Sequence, residues 1–299
     1  MPPTDEEATT AFQKLDIRCR QAVEELLAGE YLSVFRGRGI EFDEVRPYSP
    51  GDEVRTIDWN VTARTGEPFV KRFVEERDLT VYLLVDVSAS EDYGSGTQTK
   101  RMAAAELAGL LAHSAAASHD RVGLILFTDQ VERHIAPAKG RAHVSQIIDE
   151  TLNFQPNSPK TNLAEPLELL MHIAKRRAVV FLISDFQDSG YLDTLTVAAR
   201  LHDVVAVSII DPHEVSLPSA GMVRIQDAES GQTLLVDAEG ELARKGFASV
   251  AQAQREEIWR ELDGAGVDQF SLWVGHDYIG ALHGFLRARI RTRRGNHHG

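Results

Sequence analysis

From residue 79 onward the hydrophobic positions of the chain fall into two alternating patterns. Short apolar runs at 79–87, 121–128, 178–184, 204–210 and 269–274 have strand length, and their lack of strict alternation suits strands covered on both faces. Residues 130–138 read as an edge strand. Between the runs, residues 100–118, 141–154, 163–175, 192–202, 244–263 and 278–291 read as helices, the first so rich in alanine that it can lie close on a sheet. Strands and helices in regular alternation predict a doubly wound sheet. Residues 222–227 and 232–237, joined through Ser230 and Gly231, predict a β-hairpin inserted over 221–238.

Upstream the pattern changes. Phe12, Leu15, Val23, Leu26 and Leu27 recur at near-helical spacing and Gly29 supplies a stop, so residues 11–29 read as a helix within an arm of residues 1–35. Residues 36–78 break into short extended pieces around the Pro50-Gly51 turn, with 54–59 and 68–74 expected as strands. The predicted class is α/β: a doubly wound, mostly parallel, Rossmann-like sheet over 79–292, preceded by a small N-terminal β-rich element and an N-terminal helix. Residues 293–299 form a basic tail.

The candidate chemistry sits where two of the buried runs stop. Asp86-Val87-Ser88-Ala89-Ser90 ends the first, and Asp185 ends the run at 178–184. Ligands of open α/β sheets gather beyond the carboxyl ends of the strands, so both aspartates point to one rim. Thr161, in the loop 156–162 before a helix, can reach the same rim, although Thr161 or Asn162 could also serve as that helix's cap. Asp86, Ser88, Ser90, Thr161 and Asp185 offer only hard oxygens, a set that fits octahedral Mg²⁺ with retained waters and disfavours zinc.

In this order and context the five residues resemble the metal-ion-dependent adhesion site of von Willebrand factor A domains. The resemblance implies a module that binds Mg²⁺ (or Mn²⁺) through the hydroxyls and aspartates and takes an acidic residue of a protein ligand in the open coordination position. Glu91 and Asp92 directly follow the motif, where a hydrophobic residue is usual in relatives. They are expected to face solvent, the alternatives being tighter cation binding or repulsion of an acidic ligand.

The segment 36–46, with Tyr48-Ser-Pro-Gly-Asp52, Arg55-Thr-Ile-Asp-Trp59 and Thr62-Ala-Arg64, resembles the signature of the bacterial family known as domain of unknown function 58. The resemblance spans nearly everything from Arg36 on. It implies a von Willebrand A-like domain working with a MoxR-type AAA+ ATPase as adaptor or substrate receptor. Arg46, Arg55 and Arg64 are candidate partner-binding residues. Arg46, Arg55, Asp52 and Asp58 are equally readable as an ion-pair network around a partly buried Trp59.

Composition narrows the function classes. A net charge of −13 argues against general nucleic-acid binding, which needs a basic footprint. The exception is the basic end, Arg287, Arg289, Arg291, Arg293 and Arg294, expected as a solvated helix face near a C-terminus. One cysteine, Cys19, a start without signal-peptide features and no membrane-length apolar run lead to an expected cytoplasmic location. The chain has no Walker motif, so ATP-driven work would come from another protein. No acid–base partner accompanies the motif, so the expectation is a non-enzymatic protein. A Mg²⁺-dependent hydrolase and a structural assembly subunit with a vestigial site are the alternatives.

Overall fold

The computed structural model describes residues 5–23, 35, 40–75, 79–226, 228 and 231–295. Its elements run in the order α1 (Asp5–Ala22), β1 (Ile40–Pro47), α2 (Trp59–Thr65), β2 (Phe69–Glu75), β3 (Thr80–Asp86), α3 (Lys100–Ala117), β4 (Arg121–Phe127) and β5 (Val131–Ala138). There follow α4 (Arg141–Asn153), α5 (Ala164–Ile173), β6 (Val179–Ser184), α6 (Leu192–Leu201), β7 (Asp203–Ile210) and α7 (Pro212–Val215). The hairpin β8 (Met222–Gln226) and β9 (Thr233–Asp237), then α8 (Glu241–Gly264), β10 (Asp268–Trp273) and α9 (Tyr278–Gly295), complete the chain. Two compact units result, one of Met1–Phe35 with Thr80–Gly299, the other of Arg36–Leu79.

The larger unit is a six-stranded sheet of order β10-β7-β6-β3-β4-β5, parallel except for β5. β3 and β6 are buried along nearly their whole length, as their unbroken apolar runs require. The edge strand β5 is mostly uncovered, with Ile135 its buried residue, and carries Pro137, which an outer strand tolerates. Winding goes outward from β3 through β4 and β5, then returns to β6 on the other side of β3. The switch point of the sheet therefore lies between β3 and β6.

Helix α3 is buried along most of its length, because it lies on the sheet and is itself covered by α1 and α4. The approach of α1 depends on Gly109, where a Cβ would come within 2.9 Å of Cys19 Sγ and 3.2 Å of Ile148 Cδ1. Cys19 is buried and its thiol donates to the Glu106 carbonyl. Burial, with Glu106 and Asp16 nearby, pushes the thiol up to about 12, so it is a packing residue rather than a nucleophile. Arg18 adds an ion pair to Glu106 at 2.8 Å.

The smaller unit departs from the expected pattern. Residues 54–59 do not form a strand: Val54–Thr56 is a 3₁₀ turn and α2 starts at Trp59. Asp58 sets this course by accepting from the Asn60 and Val61 N–H groups, and Gly66, at φ 80°, ends the helix. Only Ile57 keeps a bridge, to Val70. The strand that pairs with β2 is β1, antiparallel. In the larger unit α1 begins at Asp5, ahead of the expected residue 11; residues 24–29 of that expected helix lie outside the described residues.

Gly109→Ala should destabilise the protein by about 1–3 kcal/mol, the usual range for overpacking. Cys19→Ala in the same chain should recover part of the loss, as read by chemical denaturation. Independent, additive effects would show that α1 does not bear on Gly109.

Candidate metal centre

The motif and its partners meet at the switch point. Asp86 ends β3 and Asp185 follows β6, its immediate neighbour, so the two carboxylates share one rim. Asp86 is buried; one oxygen accepts from the Ser88 N–H at 2.9 Å and the other from the Ser184 hydroxyl at 2.7 Å. Ser184 also accepts from the Phe186 N–H at 3.1 Å, fixing a backbone turn in which Phe186 has a φ of 60°. A bulky residue in that conformation is uncommon and costs on the order of 1–3 kcal/mol. The turn lets Asp185 face the site while the Phe186 ring packs inward against Tyr191.

Ser88 and Ser90 place their hydroxyl oxygens 3.2 Å apart. Adjacent ligands of an octahedral Mg²⁺ stand about 3 Å apart, following from metal–oxygen distances of about 2.1 Å, so this spacing suits two neighbouring positions of one ion. Oxygens of Asp86, Glu91 and Asp185 lie within 4.8 Å of one another. The loop carrying Thr161 is tied to the same place on either side of that residue. The Ala89 N–H donates to the Pro159 carbonyl at 3.0 Å, and the Asn162 N–H to the Thr128 carbonyl at 3.0 Å, at the end of β4. The cap of α5 falls to Asn162, which accepts from the Ala164 N–H, and to Asp188, which accepts from the Leu163 N–H. The donor set fits a hard divalent cation. Asp86, Ser88, Ser90 and Asp185 would hold it, with Thr161 beside them.

Sequence reasoning missed the strongest electrostatic feature. Lys100, the first residue of α3, is buried, and its ammonium donates to Asp185 at 2.7 Å and to Glu214 at 2.9 Å. It also lies 3.9 Å from Glu91. Burial alone would lower the Lys100 pKa, but Glu91, Asp185 and Glu214 outweigh it and raise the value, so this lysine stays charged. Arg101 fixes the motif's backbone, donating to the Val87 carbonyl at 2.9 Å and pairing with Asp92 at 2.8 Å. Glu214 owes its position to a capping box on Asp211, the residue that directly follows β7. Three adjacent parallel strands thus end in aspartates, and the third was the overlooked signal.

The carboxylates respond to their crowding. Asp86 is pushed up to about 7, first by burial and then by Asp185 beside it. Glu91 is raised well above its usual range, by burial above all, against the opposing pull of Lys100. Glu214 is raised by burial too. The expectation that Glu91 and Asp92 face solvent holds for exposed Asp92 and fails for Glu91, which is fully buried.

Of the expected ion-pair network of the smaller unit, the pair of Arg46 with Asp52 forms. Arg46 grips Asp52 through both its terminal nitrogens, at 2.8 and 2.7 Å, and holds that carboxyl below its usual range. Asp58 is a helix cap, Trp59 is 66% exposed, and Arg55 and Arg64 stand exposed. At the basic end, Arg289 is buried, pairing with Asp203 and Asp268 and lying over Phe35, so it belongs to the core and not to a solvated face. The side chains of Arg293 and Arg294 lie outside the described residues.

Two outcomes follow from this charge balance. Lys100→Met leaves Asp185 and Glu214 without their buried cation and should cost roughly 3 kcal/mol in metal-free protein. Added Mg²⁺ should raise its thermal midpoint more than that of wild type, and equal increments would contradict the balance. The second concerns pH. A folded pKa of about 7 for Asp86 exceeds the unfolded value of about 4, so its contribution to stability is present at low pH and lost as pH rises through about 7. The metal-free midpoint should fall across that interval, and Asp86→Asn should flatten part of the fall. An identical slope in the variant would place the titrating groups elsewhere.

Residues 44–257 match the model of the family described as protein of unknown function DUF58. The chain is 31% identical over 297 residues to the uncharacterized protein Rv1480 of Mycobacterium tuberculosis, covering 98% of this chain and 93% of that one. Among solved structures, the conserved hypothetical protein BatB from Bacteroides thetaiotaomicron is 14% identical, with a TM-score of 0.47 over 71% of this chain and 99% of that one. The VWA domain of SpRpn10 is 10% identical, with a TM-score of 0.36 over 70% of this chain and 94% of that one. From the family match and the near full-length relative, the chain belongs to the DUF58 family.

Proposed function

We propose that the protein is a non-enzymatic, divalent-cation-dependent protein-binding module, acting as adaptor or substrate receptor for a MoxR-type AAA+ ATPase. The observation that supports this reading is the cluster of Asp86, Glu91 and Asp185 oxygens within 4.8 Å of one another at the switch point of the sheet, with the Ser88 and Ser90 hydroxyls of the same motif 3.2 Å apart. Mg²⁺ (or Mn²⁺) bound there would offer a coordination position to a carboxylate of a protein ligand. Beside Asp185 and Glu214 opens a cavity of about 550 Å³, lined also by Asp188, Arg255 and Ile258, which gives a partner's side chain a route to the rim. This reading places the protein in the cytoplasm with its ATPase. Among the described residues no helix is long and apolar enough to cross a membrane.

Hydrolysis would require a general acid or base near the motif. Ser88 occupies the position two residues after Asp86, and its hydroxyl meets Ser90. His113 is engaged with Asp16, and His143 with the Val122 carbonyl. One observation favours the reading of an assembly subunit with a vestigial site: Lys100 already neutralises Asp185 without a metal. The exposed Arg55 and Arg64 provide a second surface for the ATPase, independent of the cation.

Co-purification with the MoxR-type ATPase of the same genome separates these readings. Wild type should retain the ATPase in Mg²⁺ and release it in excess chelator, and Asp86→Ala and Ser88→Ala should fail to retain it. Retention by both variants would move the contact to the Arg55 and Arg64 surface. Mg²⁺-dependent phosphoester or peptide hydrolysis abolished by Asp86→Ala would establish an enzyme instead.

A further inference from the structure

Glu91 is the least explained side chain in the larger unit. It is fully buried, and neither of its carboxylate oxygens accepts a hydrogen bond among the described residues. Its closest cation, the Lys100 ammonium, stands 3.9 Å away and gives its short contacts to Asp185 and Glu214 instead. Buried carboxylates normally collect hydrogen bonds, because removal from water without them is costly. Glu91 therefore has coordinating capacity that the protein leaves unused, and one of its oxygens lies within 4.8 Å of oxygens of both Asp86 and Asp185.

Local geometry explains how it comes to be there. Ala89–Asp92 forms a 3₁₀ turn directly after Ser88, with the Glu91 N–H donating to the Ser88 carbonyl at 3.1 Å. Within this turn Glu91 is the buried residue, so its carboxylate is directed to the interior. Asp92, one residue on, is turned outward to Arg101.

We propose that Glu91 is an internal ligand of the cation: it occupies the coordination position that an acidic residue of a partner would take, and a partner must displace it to bind. This rests on the cation-dependent reading above and adds a self-closed state to it. Lys100 keeps Asp185 and Glu214 paired in either state, so the carboxylate free to leave the metal is Glu91. Such a site holds its ion in the absence of a partner and admits an acidic ligand only in exchange for Glu91.

Mn²⁺ titration followed by the electron paramagnetic resonance of the free ion, with water-proton relaxation and with sodium acetate as the carboxylate probe, tests this. Wild type should bind Mn²⁺ with an affinity that acetate leaves unchanged. Glu91→Ala should bind Mn²⁺ roughly tenfold more weakly, in line with the loss of a charged ligand. Its bound Mn²⁺ should relax water more strongly, and acetate should tighten binding and reverse that gain. Glu91→Gln, which keeps the side chain's size, should show the weaker affinity as well and covers the case in which the alanine variant fails to fold. Wild-type affinity and relaxation in both variants, with binding still abolished by Asp86→Ala, would overturn the role of Glu91 and leave the metal site standing. Absence of Mn²⁺ binding to wild type would overturn both.

Discussion

The larger unit is organised around a charge imbalance that it buries. Asp86, Glu91, Asp185 and Glu214 crowd the switch point of the sheet, and among the described residues the cation that meets them is the Lys100 ammonium. Four carboxylates against one lysine cannot all be ionised at low cost where two of them, Asp86 and Glu91, are buried. The protein has two ways to settle this: hold protons, as the raised Asp86 and Glu91 do, or accept a second cation. A divalent ion brings the balance of these five groups close to neutrality and replaces the protons. Metal binding and site chemistry are then the same event.

Much of the surrounding structure serves to keep that imbalance in place. β3 and β6 are buried on both faces, which makes the ends that carry Asp86 and Asp185 stiff. Ser184 joins the two ends, bonding the Asp86 carboxylate and the Phe186 N–H at once. The left-handed backbone at Phe186 persists because its ring is buried and its N–H is held. Helix α3 contributes its first two residues, Lys100 to the carboxylates and Arg101 to the backbone of the motif, and α1 and α4 keep α3 pressed to the sheet. A change as remote as Gly109 therefore acts on the helix that carries Lys100.

The sheet and its rim were legible because parallel strands announce themselves as unbroken apolar runs and because the carboxyl ends of such strands are where ligands collect. Asp86 and Asp185 could be placed on one rim on that basis. Lys100 could not: in the sequence it begins an alanine-rich helix, where a lysine is ordinary, and only the fold places it under Asp185. Glu91 was misread because a charged residue after a motif is usually solvated, whereas a 3₁₀ turn rotates it inward. The error at residues 54–59 has a related cause. Val54, Ile57 and Trp59 look strand-like, but the Asp58 side chain offers the following N–H groups a cap, and the local hydrogen bonds win. In these last two cases a short-range turn or cap overrode the expectation, whereas Lys100 is placed by a contact 85 residues away.

The central claim, that the buried carboxylates are a cation site with Glu91 inside it, is tested most directly by a crystal structure of the wild-type protein grown in Mn²⁺, using anomalous difference density. The account predicts one strong peak bounded by Asp86, Ser88, Ser90, Asp185 and Glu91, with the Lys100 ammonium still paired to Asp185 and Glu214. Absence of any peak there at saturating Mn²⁺, with Lys100 alone among the four carboxylates, would contradict it.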